Sequence, residues 1–185
     1  ESSLGTNQGG YVDLGSTTSL FSSVSSELST SLWFEYDGTV SSDVHALLSN
    51  YQGSGISIDL FNTGYLRAVI FNGAARVAQF PQSSLNVGWN HVAFSYDQTN
   101  GLILYVNGVE VARDSNIGNL TFPTDTHTYI GTEANGANAP YNIYSHYGAI
   151  AEVSIWNKSL SQIEIQKLMH AMPNINDSSL VRYYP

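Results

Sequence analysis

Cysteine is absent from the 185 residues, which rules out disulfides, thiolate chemistry and cysteine-type zinc sites together. Basic residues are scarce: six Lys and Arg stand against fifteen Asp and Glu, for a net charge of -9. A surface with that balance repels phosphate backbones and anionic membranes, so nucleic acid is not an expected partner. Charge of either sign is thin, at 11% of residues against roughly 25% in average soluble domains. The polar surface must therefore be built from Ser, Thr, Asn, Gln and Gly, a composition that points to an extracellular or cell-surface setting. No apolar run is long enough to cross a bilayer, so membrane insertion is not expected. Catalytic signatures are missing too: there is no Gly-x-Ser-x-Gly elbow, His-Glu-x-x-His motif, P-loop or Gly-x-Gly-x-x-Gly fingerprint. The chain opens at Glu1 without an initiator Met or leader and stops at Pro185 directly after a strand-like run. It reads as one module, residues 1–185, excised from a larger secreted or surface polypeptide whose other domains are partners.

What the chain does have is short β-rich runs divided by turn residues. Asn72-Gly73 and Asn107-Gly108 each stand between two such runs and predict two-residue type I′ hairpins, which need positive φ at both central positions. Ile56-Ser57-Ile58-Asp59-Leu60 alternates at period two, and His91 to Tyr96 leads through Asp97-Gln98-Thr99-Asn100-Gly101 into another strand. With Tyr11 to Leu14, Ser31 to Tyr36, Thr128 to Ile130, Ala149 to Trp156 and Leu180 to Tyr184, about a dozen strands are expected, which only a sandwich or barrel accommodates in one domain. Trp33, Trp89, Trp156, Phe94 and Tyr105 are assigned to the core, and His91 to a structural hydrogen bond. One helix is expected: Ser161-Gln162-Ile163-Glu164 has capping-box spacing, Ile165, Leu168, Met169 and Met172 form the apolar stripe, and Pro173 ends it.

The order of these segments resembles the laminin G-like and pentraxin-like jelly rolls of the concanavalin A-like kind. Four stretches carry the resemblance: Tyr11 to Gly15, Ser31-Leu32-Trp33-Phe34, the block Trp89-Asn90-His91-Val92 with Tyr105-Val106-Asn107-Gly108, and Gly148 to Asn157 running into Leu160 to Ile165. The resemblance implies an all-β, two-sheet antiparallel sandwich with one short helix near the C-terminus. It implies a non-catalytic, lectin-like module binding a glycan or cell-surface polysaccharide, in a setting such as cell adhesion. Fold alone does not choose function, and a structural or protein–protein interaction module is the alternative.

In pentraxin-like members calcium is held by an Asp after the Trp strand and by an acidic loop following an Ile/Leu-Gly-x-Glu turn. Carried over, that implies a calcium site at Asp43, Glu133 and Asn135, weakened because Val44 and Ala134 stand where further oxygen ligands occur; otherwise Asp43 and Glu133 are solvated loop carboxylates. Independently of the resemblance, the segment from Ala134 to Tyr147 gathers Asn135, Asn138, Tyr141, Asn142, Tyr144 and His146 with almost no charge. Aromatic faces beside amides suit a neutral sugar, although the tyrosines could equally fold inward to anchor the loop. His45 joins this ligand set if the alignment holds. Glu35-Tyr36-Asp37 begins like the Glu-x-Asp-x-x-Glu strand of the superfamily's glucanases. Val40 replaces the second Glu, so the acid/base partner is missing and no enzyme is expected.

Overall fold

A computed structural model describes residues 10–39, 43–135 and 139–185; the side chains of Asn135 and Asn142 and all of Asn138 lie outside the described residues. Among the described residues fourteen strands are formed: β1 (Val12–Ser16), β2 (Leu28–Tyr36), β3 (His45–Ser49), β4 (Ile56–Phe61), β5 (Tyr65–Phe71), β6 (Ala75–Pro81), β7 (Gly88–Asp97), β8 (Gly101–Val106), β9 (Val109–Asp114), β10 (His127–Ile130), β11 (Glu133–Asn135), β12 (Ala139–Tyr141), β13 (Ile150–Trp156) and β14 (Leu180–Tyr184). They build two six-stranded antiparallel sheets, ordered β1-β10-β3-β4-β5-β6 and β14-β13-β2-β7-β8-β9, with β11-β12 as a separate hairpin. The expected all-β sandwich is what the chain forms.

The core lies between the sheets because alternation sends every second residue inward. Leu32 and Phe34 on β2, Ile56 and Ile58 on β4, Leu66 and Ile70 on β5, Val92 and Phe94 on β7 and Leu104 on β8 are all fully buried there. Each such side chain contributes roughly 1.5–3 kcal/mol on burial. A second, smaller cluster forms on the outside of the other sheet, where helix α2 (Gln162–Leu168) sets Ile165 against Ala93, Ile103, Tyr105 and Trp156. The expected capping box is complete: Ser161 Oγ accepts from the Glu164 N–H, and the Glu164 carboxylate accepts from the Ser161 N–H. A one-turn helix, α1 (Thr17–Leu20), which the sequence reading did not foresee, follows β1.

Trp89, expected in the core, is 47% exposed. Parity decides this: Trp89 lies on the outer face of β7 with His91 and Ala93, next to Glu35 of β2, one pair beyond the buried His91. Trp33 is half-buried on the same face, against the His91 ring. His91 makes the structural bond assigned to it, Nε2 lying 2.8 Å from Ser31 Oγ.

The two Asn-Gly turns also differ. Asn107 and Gly108 take φ of 50° and 75° between the paired Val106 and Val109, the expected two-residue turn. Between β5 and β6, however, Phe71 pairs with Ala75, so three residues make the turn, and only Gly73 of the Asn-Gly pair has positive φ. Asn72 turns inward instead: its amide donates to Tyr96 Oη and to the Asn116 carbonyl, each at 3.2 Å, and its Oδ1 accepts from Arg76 Nε at 2.8 Å. Satisfying a buried amide in this way competes successfully with the local turn preference.

Candidate functional site

The segment after β10 returns to the start of β3 and shapes the surface there. Gly131 N–H donates to the Leu47 carbonyl, His146 N–H donates to the Gly131 carbonyl, and Ser145 bridges to Ala46. Thr132 Oγ1 donates to the Tyr141 carbonyl at 3.1 Å, and the Gln52 amide donates to the Ala134 carbonyl. Thus anchored, the segment walls two cavities, one on each side of the entry to β3. Val44 lines the first and His45 the second.

The first cavity, about 320 Å³, lies on the outer face of β4, β5 and β6. Its floor follows from register: Ser57 is opposite Val69, and Asp59 is opposite Arg67. Asp59, 2% exposed, accepts from Arg67 Nε at 2.8 Å and Nη2 at 3.1 Å, and from Ser57 Oγ at 2.8 Å. The Arg67 guanidinium lies 3.3 Å from the centre of the Phe61 ring, a cation–π contact that fixes its plane. Tyr51 and Tyr144 complete the aromatic wall, and Tyr141 meets Tyr144 edge-on at 4.6 Å between ring centres. Glu133 stands at the rim. Burial, helped by the nearby Asp59 charge and opposed by Arg67, pushes its carboxyl up to about 7. Near neutrality that group therefore both donates and accepts.

The second cavity, about 310 Å³, opens at the end of the sandwich between the sheets. The Glu35 backbone and Asp37, at the end of β2, stand opposite His45, His146 and Tyr147 across it, while the Glu35 side chain alternates to the outer face of the sheet. The Glu35 N–H donates to the Ala149 carbonyl at 2.9 Å, holding the two walls in place. Gly148 allows that approach, since a β-carbon there would strike the Glu35 carbonyl and the His146 ring. His45 meets Tyr147 edge-on at 5.2 Å. Burial lowers the His45 pKa, against the raising influence of Asp43 and Asp37. His146 is brought down to about 4, by burial first and then by His45, with the Glu35 carbonyl and Asp37 acting the other way. It is 6% exposed, and neither ring nitrogen makes a hydrogen bond of normal geometry; the Glu35 carbonyl is near but outside that geometry.

The residues singled out from the sequence are therefore divided. Tyr144 and Glu133 line the outer cavity with Tyr141 stacked behind them, while His45 and His146 line the end cavity. Asn138 and the side chains of Asn135 and Asn142 fall outside the described residues. Asp43 is exposed and bears on His45, whereas the charges bearing on Glu133 are Asp59 and Arg67. Among the described residues no three His, Asp or Glu side chains come together at metal-holding distances. As described, the donor set does not make the cage of six to eight oxygens that calcium takes, and Arg67 beside Glu133 opposes a second cation there. Sequence reading missed Tyr51, Ser57, Asp59, Phe61 and Arg67. The available signal was Asp59 on the polar face of an alternating strand, with Arg67, one of only six basic residues in the chain, on the strand that follows.

Residues 5–166 match the family profile of the concanavalin A-like lectin/glucanases superfamily. The chain belongs to this superfamily. Comparison with curated protein sequences finds no match. Among solved structures, a Bacteroides ovatus protein provisionally described as carbohydrate binding superposes with a TM-score of 0.65 at 21% identity, over 86% of this chain and 45% of that one. The binding domain of botulinum neurotoxin serotype C1 gives 0.64 at 16%, over 90% and 42%. The Ruminococcus gnavus sialidase module CBM40, solved with α2,3-sialyllactose, gives 0.62 at 15%, over 88% and 93%. This superfamily member thus spans less than half the length of the first two. At such identities the likeness is one of fold.

Proposed function

We propose that this chain is a non-catalytic glycan-binding module of an extracellular or cell-surface polypeptide, and that it takes a neutral sugar in the outer-face cavity. The observation that carries the reading is that cavity's construction: Tyr51, Phe61 and Tyr144 supply apolar faces, with Ser57 and the Glu133 carboxyl beside them. Sugars present C–H faces to such rings and hydroxyls to such polar groups. Arg67 is already committed to Asp59 and Phe61, and Asp59 and Glu133 oppose an acidic sugar, so the neutral class is favoured. Solved structures of the same fold that are described as carbohydrate binding or hold a glycan support glycan binding in general, without bearing on the neutral class. The greater length of two of the superposed structures supports a role as one unit of a longer adhesive or secreted polypeptide.

The test is a glycan array probed with and without chelator, then repeated with Tyr144→Ala. Binding of a neutral glycan that weakens in the variant is expected, and a complete absence of hits under both conditions would remove the reading. The chelator arm tests calcium assistance at Asp43, Glu133 and Asn135. The competing reading, a structural or protein–protein interaction module, draws support from Trp89, 47% exposed on the outer face of β7. It gains if Trp89→Ala abolishes capture of another domain of the parent while sugars fail to bind.

A further inference from the structure

The sheet opposite the outer-face cavity presents a face of its own. On β2 and β7 the outward positions include Trp89, which is 47% exposed, and Glu35 directly across from it. One pair further in, Trp33 stands across from His91, so the two indoles are diagonal neighbours on either side of Glu35. Backbones at such diagonal positions are roughly 7–8 Å apart, a gap that long side chains bridge.

A bulge adds a second carboxylate. Ala151 pairs with Trp33 and Ser154 with Ser31, so Glu152 and Val153 together stand against Leu32. Val153 goes to the core, which leaves Glu152 as the extra residue, with a φ of 56°. Bulges re-aim side chains in this way. The Glu152 carboxylate accepts from the Tyr183 hydroxyl, and Tyr183 pairs with Ser154 on the outer side of the sheet. No Lys or Arg occurs in β2, β7 or β13. The basic groups bordering this face are Lys167 and His170 at the end of α2, which line a groove beside Asn107.

The other sheet shows how this chain completes such a set. There Arg67 takes both oxygens of the Asp59 carboxylate on the neighbouring strand and lies 3.3 Å from the centre of the Phe61 ring. On the second sheet the carboxylate and the rings are again together, but the chain supplies no arginine to them. The Glu35 side chain is exposed and has no hydrogen-bond or ion-pair partner among the described residues.

Charge and shape choose the occupant. An anion would meet Glu35 and Glu152. A neutral sugar would stack on the indoles and leave the Glu35 charge uncompensated, and an ammonium would compensate it without a flat face to stack. A guanidinium does both, lying on an indole while its N–H fork pairs with the carboxylate. Trp and Arg are also the side chains most enriched at the energetic centres of protein interfaces. We propose that the outer face of β2 and β7 is a docking surface for a protein partner, which lays an arginine against Trp33 and Trp89 to pair with Glu35. The glycan reading concerns the other sheet, and this proposal does not rest on it.

The experiment is isothermal titration calorimetry on the intact 185-residue chain at about 0.15 M salt, where screening over about 8 Å suppresses general attraction to a net charge of -9. The probes are the capped peptides Gly-Arg-Gly-Arg-Gly and Gly-Lys-Gly-Lys-Gly, and cellopentaose. The arginine peptide is expected to bind about fivefold more tightly than the lysine peptide. Trp89→Ala should remove that preference, and Glu35→Gln should weaken the arginine peptide about fivefold. Asp125→Asn, which removes one charge from an exposed position before β10, should leave it unchanged. Trp89 and Glu35 are both exposed, so their variants keep the fold. Equal binding of the two peptides, equal losses in Asp125→Asn and Glu35→Gln, or no heat with the arginine peptide would each overturn the proposal. So would cellopentaose binding that Trp89→Ala abolishes while the arginine peptide stays silent. These variants lie on the other sheet from the glycan cavity, so the two readings fail separately.

Discussion

The two cavities flank one strand entry, yet they are built on opposite plans. On the outer face the polar groups satisfy each other: Asp59 takes two bonds from Arg67 and one from Ser57, and Phe61 covers the guanidinium. A ligand there meets a finished, rigid platform. At the end of the sandwich the walls come from strand ends and a returning segment, and His146 is left with both nitrogens buried and unpaired. The first site holds its order through internal pairing, and the second leaves buried polar groups unsatisfied.

The largest expected effect tests that difference through stability. Arg67→Ala leaves the Asp59 carboxylate buried without its partner, which costs about 3–5 kcal/mol; urea denaturation followed by tryptophan fluorescence should show the midpoint falling accordingly. His146→Phe removes two unsatisfied nitrogens from a site where Phe34 already offers an aromatic neighbour. It should leave stability unchanged or raise it by about 1 kcal/mol. If the two variants lose stability equally, the contrast between a self-satisfied and an unsatisfied cavity is wrong.

A smaller effect sharpens the contrast in binding. Tyr144→Ala removes one aromatic face of the outer cavity, worth roughly 0.5–1.5 kcal/mol, so affinity for a neutral glycan found on the array should drop about three- to tenfold in calorimetry. Stability should change little, since Tyr144 is only half-buried. An unaltered dissociation constant would move the sugar away from this wall.

How much of this was legible in the sequence depends on which force set each feature. Period-two runs, the Asn107-Gly108 turn and the capping box at Ser161 were readable because backbone geometry near in sequence fixes them. The Asn72-Gly73 turn was misread because its Asn is claimed by Tyr96 and Asn116, 24 and 44 residues away. Trp89 was misplaced because the family resemblance was weighed above parity with His91. For the site, the aromatic segment ending at Tyr147 was visible from composition. The Asp59–Arg67 floor was not, since nothing local says that a charge inside a buried strand will find its partner across a hairpin. Nor could spacing show that the anchoring of Gly131 and Ser145 to β3 would place Tyr144 and His146 in different cavities.

The dependence on pH separates the two cavities by sign. Glu133 carries a carboxyl raised from 4.5 to about 7. The folded chain then binds that proton more tightly than the unfolded one, so its contribution to stability is full below about pH 4.5 and is lost as pH rises through 7. His146 is lowered from 6.5 to about 4. There the unfolded chain binds the proton more tightly, and stability is full above about pH 6.5 and is lost as pH falls toward 4. His91, lowered to about 4 by burial, has the same sign as His146 and serves as a background common to both variants. Between about pH 4.5 and 6.5 the two cavities therefore pull in opposite directions. Chemical denaturation across that range should show Glu133→Gln with a steeper rise of stability with pH than the parent, because the opposing slope is gone. His146→Phe should show a shallower rise. Slopes that change in the same direction in both variants would mean that one of these groups does not have the surroundings described for it.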